Sequence, residues 1–205
     1  MASWHYAFMF PGHGEHLLPA AAIDALAQSG LVFDPWMYPA IVVDEAGHLE
    51  HGDKVELAGP PAEELEERAV RGEQFLAECR DRALAFTLLL HAKYTNPYMA
   101  LGWSRRLFRN LSHDEQERYW KLIRVVAQRS NAAYIIVVND PPDYFEDRFL
   151  EVDDRRWLDK QLPSGATYDF RAIWISTRAA SALPEGVSSL PGNDVGEGFR
   201  EYSVE

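Results

Sequence analysis

Cysteine is almost missing from this chain: Cys79 stands alone among 205 residues, so no internal disulfide can form. A disulfide-stapled secreted scaffold is thereby excluded, and a reducing compartment is the expectation. Long hydrophobic runs are missing too. The longest, Ala83 to Leu90, has eight residues, well short of the ~20 a membrane-spanning helix needs. The N-terminal Met1-Ala2-Ser3-Trp4-His5 carries neither a basic stretch nor an apolar one, so no secretory signal is expected and a cytoplasmic location is.

Motifs of high specificity are also lacking. There is no G-x-x-x-x-G-K-[ST] phosphate loop, no C-x-x-C, and no G-x-S-x-G elbow around Ser176, Ser181, Ser188 or Ser189. Gly12-His13-Gly14 starts like a dinucleotide fingerprint but has no third glycine at the right offset. No cofactor is called for.

Basic residues are scarce in the first third, and this absence is the informative one. The chain has a net charge of −12, and its first 70 residues set twelve acidic side chains against only Lys54 and Arg68. The remainder is close to balanced. A field of that sign repels nucleic-acid phosphates and attracts basic partners.

What is present reads as a globular α+β chain, with 47% hydrophobic and 12% aromatic residues. Trp4–Phe10 is a strand stopped by Pro11-Gly12, and Pro19–Gln28 a short helix closed by Gly30. Pro39–Asp44 and Lys54–Leu57 are strands around the loop Glu45–Asp53. Pro60-Pro61 opens a helix whose early glutamates suit the positive end of its dipole. The spacing of Leu65, Ala69, Gly72, Leu76, Cys79 and Ala83 extends that helix past residue 80. Cys79 on this stripe is expected to be a buried structural thiol.

Phe86–Lys93 and Tyr98–Trp103 bracket Tyr94-Thr95-Asn96-Pro97 as a hairpin. Ser112-His113-Asp114-Glu115 is a capping box for a helix to about Ser130, burying Tyr119, Leu122, Ile123 and Val126. Ala132–Val138 is an uninterrupted apolar run suited to a strand covered on both faces. Asp143–Leu150 reads as a helical turn and Tyr168–Ser176 as a last strand. The expected architecture is a mixed, mainly antiparallel sheet with helices packed on one face. One domain spans 1–205, with a loop-rich tail from about 179 that Phe199, Tyr202 and Val204 anchor.

Four groups of residues can carry function. Pro11-Gly12-His13-Gly14-Glu15-His16 puts two imidazoles and a carboxylate in a flexible loop after a strand, and His48-Leu49-Glu50-His51 is a second cluster. His13, His16, His48 and His51 would make a metal site only if the loops met in space. His13, Glu15 and His16, helped by Asp140, would suit acid–base or metal-assisted hydrolysis. The bland reading is polar turns. A third group, Asn139, Asp140, Asp143, Glu146, Asp147, Glu151, Asp153 and Asp154, is interleaved with Arg148, Arg155 and Arg156, so local pairing competes with Mg²⁺ binding. In the fourth, Arg105, Arg106, Arg109, Arg118, Lys121, Arg124 and Arg129 face only three acidic residues across 105–129. Internal pairing with the acidic third is favoured over a phosphate patch.

These features favour a protein-binding inhibitor of the immunity or antitoxin kind, neutralising a basic toxin or nuclease-like partner. Glu45, Glu50, Asp53, Glu56, Glu63, Glu64 and Glu67 would supply the field, and Trp36 and Tyr38 the anchors, with Trp103 a further candidate. The hydrolase remains the alternative, and a nucleic-acid mimic built from the Glu45–Glu67 carboxylates a third reading.

Overall fold

Aromatic and β-branched residues in short alternating runs decide most of this fold. In the computed structural model, residues 4–12, 14–42, 49–91, 98–139, 170–180 and 192–202 are described. Along the chain these form β1 (Trp4–Pro11), α1 (Pro19–Gln28), β2 (Val32–Val42), β3 (Leu49–His51), β4 (Val55–Glu56), α2 (Pro61–Val70) and β5 (Phe75–Arg80). They continue as β6 (Ala85–His91), β7 (Tyr98–Ser104), α3 (Arg105–Arg109), α4 (His113–Arg129), β8 (Ala132–Asn139), β9 (Phe170–Ser176), α5 (Thr177–Ala180), β10 (Gly192–Gly196) and β11 (Phe199–Tyr202).

The strands make one sheet in the order β10-β11-β9-β8-β1-β7-β6-β5-β2-β3, with β4 also on β2. Every pairing is antiparallel. Strand β1, the first in sequence, sits mid-sheet between β7 and β8.

Period-2 alternation sends one set of side chains to each face. Ala7, Met9, Phe75, Ala77, Cys79, Phe86, Leu88, Met99, Leu101, Trp103, Ile135 and Val137 meet the buried stripes of α1, α2 and α4 and Phe108 of α3. The centre of this core is aromatic. Trp103 lies 5.6 Å from Trp120 and 6.0 Å from Phe108, while Trp120 meets Phe108 edge-on at 5.0 Å and Trp174 edge-on at 5.6 Å. Such ring pairs add about 0.5–1.5 kcal/mol each beyond area burial.

The opposite face carries a cross-strand row, Ile136–Phe8–Ala100–Leu89–Leu76–Tyr38, each residue directly opposite the next. Phe8, Leu89, Ala100 and Ile136 in this row are buried in a second cluster that contains no helical residue. Beside it Gly102 faces Tyr6, and a Cβ at 102 would stand 2.7 Å from the Tyr6 ring. That close approach explains a glycine in mid-strand.

The α+β class, the antiparallel sheet and the helices on one face are as expected. The capping box is present, with the Ser112 hydroxyl accepting from Glu115 N–H and the Glu115 carboxylate accepting from Ser112 N–H at 2.8 Å. Helix α4 buries Tyr119, Leu122, Ile123 and Val126 as its spacing required, and Trp120, Arg124 and Ala127 besides.

Three expectations are corrected. The helix opened by Pro60-Pro61 stops at Val70, because Gly72 adopts φ +73 and the chain re-enters the sheet as β5. Leu76, Cys79 and Ala83 therefore lie off the helix, and burial within β5 alternates as a strand requires. Cys79 is nonetheless buried, and burial raises its thiol pKa to about 12, with the nearby Asp34, Asp81 and Glu78 charges adding to the effect. Strand β2 begins at Val32 rather than Pro39, and the expected loop 45–53 holds β3. The tail also contains the hairpin β10–β11, through which Phe199 and Tyr202 are buried on β9. The Tyr94–Pro97 turn, the 143–150 turn and Val204 lie outside the described residues.

Candidate functional site

The acidic region grows from the sheet edge at β2. Trp36 pairs with Glu56 and Met37 with Val55, and Leu57 N–H donates to Pro35 O at 3.0 Å. Leu57 is buried and pins this edge to the core. The Lys54 ammonium lies 3.4 Å from the Trp36 ring centroid, so the only cation of residues 1–67 is held on an aromatic face. Asp53 and Glu56 are exposed here. Charged groups on short edge strands also block edge-to-edge pairing, which is a structural reason for their presence.

Helix α2 continues the acidic surface. Leu65 and Ala69 bury one face and leave Glu63 and Glu67 outward. Glu64 does something else. It accepts from the N–H groups of Ala58 (2.6 Å) and Gly59 (3.0 Å) and pairs with Arg68 at 2.8 Å. The Arg68 hydrogen bond, followed by that of Gly59, holds the Glu64 carboxyl below its ordinary pKa. Glu64 is thus a structural tie with its charge spent. Glu67 has only a long contact to Arg71, 4.0 Å, between exposed groups, worth little in water.

Glu66, which the sequence reading did not single out, carries the electrostatic record of this region. Partial burial raises its carboxyl pKa, and the negative charges of Asp24 and Glu63 raise it further. Burial is the main cause of that shift, and Asp24 itself is ion-paired with Arg129 at 2.6 Å where α1 meets α4. A signal existed, since Asp24 is the one charged residue on helix α1.

Among the described residues, Asp53, Glu56 and Glu63 make no ion pair. Glu50 lies on the edge strand β3 opposite Ile41, Tyr38 is half-buried opposite Leu76, and Glu45 is outside the described residues. Trp103 is fully buried and so belongs to the core, not to a surface.

The histidine loop is stitched to the turn between α4 and β8. Asn131, at φ +65, donates from its side-chain amide to His16 O at 3.0 Å, and Leu18 N–H donates to Ser130 O at 2.8 Å. Arg178 pairs with Glu15 at 3.0 Å and donates to the Asn131 side chain. The Glu15 carboxylate is engaged in holding α5 to this loop. His16 sits by β8 and His51 on β3, with β1, β7, β6, β5 and β2 between them, a span of ~25 Å or more at ~4.8 Å per strand. These two histidines do not share a site. His13, His48, Asp140 and the acidic run 140–154 lie outside the described residues, and no metal-holding cluster occurs among the described ones.

The basic segment divides. Arg118 pairs with Asp81 (2.7 Å), Lys121 with Glu197 (3.5 Å) and Arg129 with Asp24 (2.6 Å). Arg124 is buried 5.2 Å from the Trp174 ring centroid, and that burial lowers its pKa. Internal ion pairs therefore account for Arg118, Lys121 and Arg129, and an aromatic ring for Arg124, although only Asp24 belongs to the acidic first third. Arg105, Arg106 and Arg109 instead line a surface concavity with Asn110.

Asp81 is the best-connected carboxylate. It accepts from Tyr119 O–H at 2.6 Å, from Arg118, and from Ala83 and Leu84 N–H at 2.8 and 3.0 Å. Burial pushes its pKa up, but the Tyr119 and backbone hydrogen bonds and the Arg118 charge outweigh that, leaving it below the ordinary 3.8. Burial and the Asp81 bond raise Tyr119 to about 12. A depressed carboxylate stabilises the fold above its unfolded pKa and loses that contribution as pH falls through the folded value. A raised phenol stabilises below its unfolded pKa and loses that contribution as pH climbs from about 10 to about 12. Asp81→Ala should cost about 2–3 kcal/mol at neutral pH, chiefly by leaving the Tyr119 O–H and the Ala83 and Leu84 N–H groups without their acceptor, although the phenol oxygen still accepts from Arg118. Its urea midpoint should vary less than wild type below pH 4; an unchanged acid slope would refute this account.

No protein-family model and no curated protein matches this chain. Among solved structures, this chain is similar to a T6SS protein of Pseudomonas aeruginosa, PA0821, at 13% identity and a TM-score of 0.43, across 99% of this chain and 66% of that chain.

Proposed function

We propose that this protein binds a basic protein and neutralises it, as an immunity- or antitoxin-type inhibitor, using the acidic surface of residues 50–67. The exposed Asp53, Glu56 and Glu63, none of them in an ion pair among the described residues, carry this reading, because they leave negative charge uncompensated beside β4 and on the outer face of α2. A cationic partner supplies the missing counter-charge on docking. Asp53, Glu56 and Glu63 provide exposed charge for long-range attraction, which speeds encounter and penalises acidic competitors. Trp36 and Tyr38, both half-buried on β2, offer aromatic area beside those charges.

The test is capture of partners from the native host at low ionic strength, eluted by stepwise NaCl. A basic protein should elute as screening shortens toward ~3 Å at about 1 M salt, and its own activity should be blocked stoichiometrically when the purified pair is recombined. Acidic or salt-insensitive partners, or a basic partner whose activity is untouched, would overturn the reading.

A further inference from the structure

Arg105, Arg106 and Arg109 fall within one five-residue helix, α3, and line an open concavity of about 280 Å³ together with Asn110. Cations elsewhere in the described residues are mostly satisfied. Arg68, Arg71, Arg80, Arg118, Lys121, Arg129 and Arg178 each have a carboxylate within ion-pair distance. Arg106 and Arg109 are exposed and have none among the described residues.

Spacing makes that arrangement costly. Positions 106 and 109 are three apart, so their like charges adjoin on the helix surface and repel. The backbone beneath them is nonetheless fixed. The Ser104 hydroxyl caps α3 by accepting from Leu107 N–H, and Phe108 is buried between Trp103 and Trp120. The guanidinium stems thus start from a rigid base, the condition for a binding site with little ordering cost. An anion of charge two or more removes the repulsion, and planar guanidinium forks match tetrahedral oxyanions in pairs. The volume admits a phosphoryl group with a small substituent, not a folded partner.

We propose that this concavity binds a small phosphate-class oxyanion, held by Arg106 and Arg109, with Arg105 and Asn110 completing the wall. The acidic surface plays no part in this, so the two readings stand or fall separately.

Calorimetric titration of the full chain with inorganic phosphate, pyrophosphate and citrate, at constant ionic strength set with chloride, tests it. Pyrophosphate should bind with one-to-one stoichiometry and more tightly than citrate. Arg106→Gln and Arg109→Gln should each weaken it by about tenfold, the scale of one charged hydrogen bond, and the double variant should abolish it. Arg200→Gln, on the exposed side of β11, should leave it unchanged. Both substituted positions are exposed, so circular dichroism and melting should match wild type. Absence of pyrophosphate binding, citrate binding as tightly as pyrophosphate, or retention of binding in the folded double variant each overturns the proposal.

Discussion

Reversing Asp53, Glu56 and Glu63 together to lysine should slow association with the basic partner by about tenfold to a hundredfold at low ionic strength. Dissociation should change far less. Mutated rim charges act chiefly on encounter, through the long-range field, whereas buried contacts set residence time. All three side chains are exposed, make no ion pair among the described residues, and lie on a short edge strand, its flank or the outer face of α2. The triple variant should therefore fold like the wild type. Stopped-flow traces over a salt series check the claim: wild-type and variant rates should converge as salt rises. Parallel salt dependences would mean that the attracting field lies elsewhere. Glu64→Lys is the contrasting case. It breaks the Arg68 pair and the Ala58 and Gly59 caps, so it should lower stability before it alters binding.

Trp103→Ala should destabilise the fold by about 3–5 kcal/mol, the usual cost of emptying a buried aromatic site. Trp103 is fully buried on β7 and has His5, Phe86, Phe108 and Trp120 rings within 6.0 Å. Its removal leaves a cavity where β1, β6, α3 and α4 converge, and no neighbour can fill it without breaking its own contacts. Chemical denaturation gives the number. The loss should appear in the midpoint with the slope preserved, because the surface exposed on unfolding is nearly unchanged. A cost below 1 kcal/mol would mean that the aromatic cluster collapses freely around the gap.

How far the sequence spoke depended on length and on the reach of each interaction. Helix α4 was legible because seventeen residues repeat one pattern and its capping box is local. Strand β8 was legible because its seven apolar residues, Ala132–Val138, leave no polar face. The 60–83 segment misled for a definite reason. Leu65 and Ala69 follow a helical period, and Leu76, Cys79 and Ala83 continue it by coincidence, while Phe75, Ala77 and Cys79 satisfy the strand period that prevailed. Gly72 was the available break signal. Helix α3 is too short to show any period, and the β10–β11 hairpin hides in a glycine-rich stretch. Of the acidic surface, composition gave the sign and the neighbourhood. It did not give which charges are spent, because partners such as Asp24 and Arg129 lie 105 positions apart in the chain. The double role of Glu64 as cap and counter-ion likewise needs the turn at Ala58–Gly59 to be seen.

The central place of β1 bears on how the chain reaches its native state. The β5–β6–β7 meander closes through neighbouring segments, but Phe8 must find Ala100 and Ile136, about 90 and 130 residues downstream. Early during synthesis the N-terminal strand has no docking partner, and only after β8 emerges can both of its edges zip shut. Closure of such distant segments is slow, and refolding should be limited by this step rather than by helix formation. Trimming the first eleven residues would not shave a margin; it would leave β7 and β8 as two bare hydrogen-bonding edges facing one another across a gap.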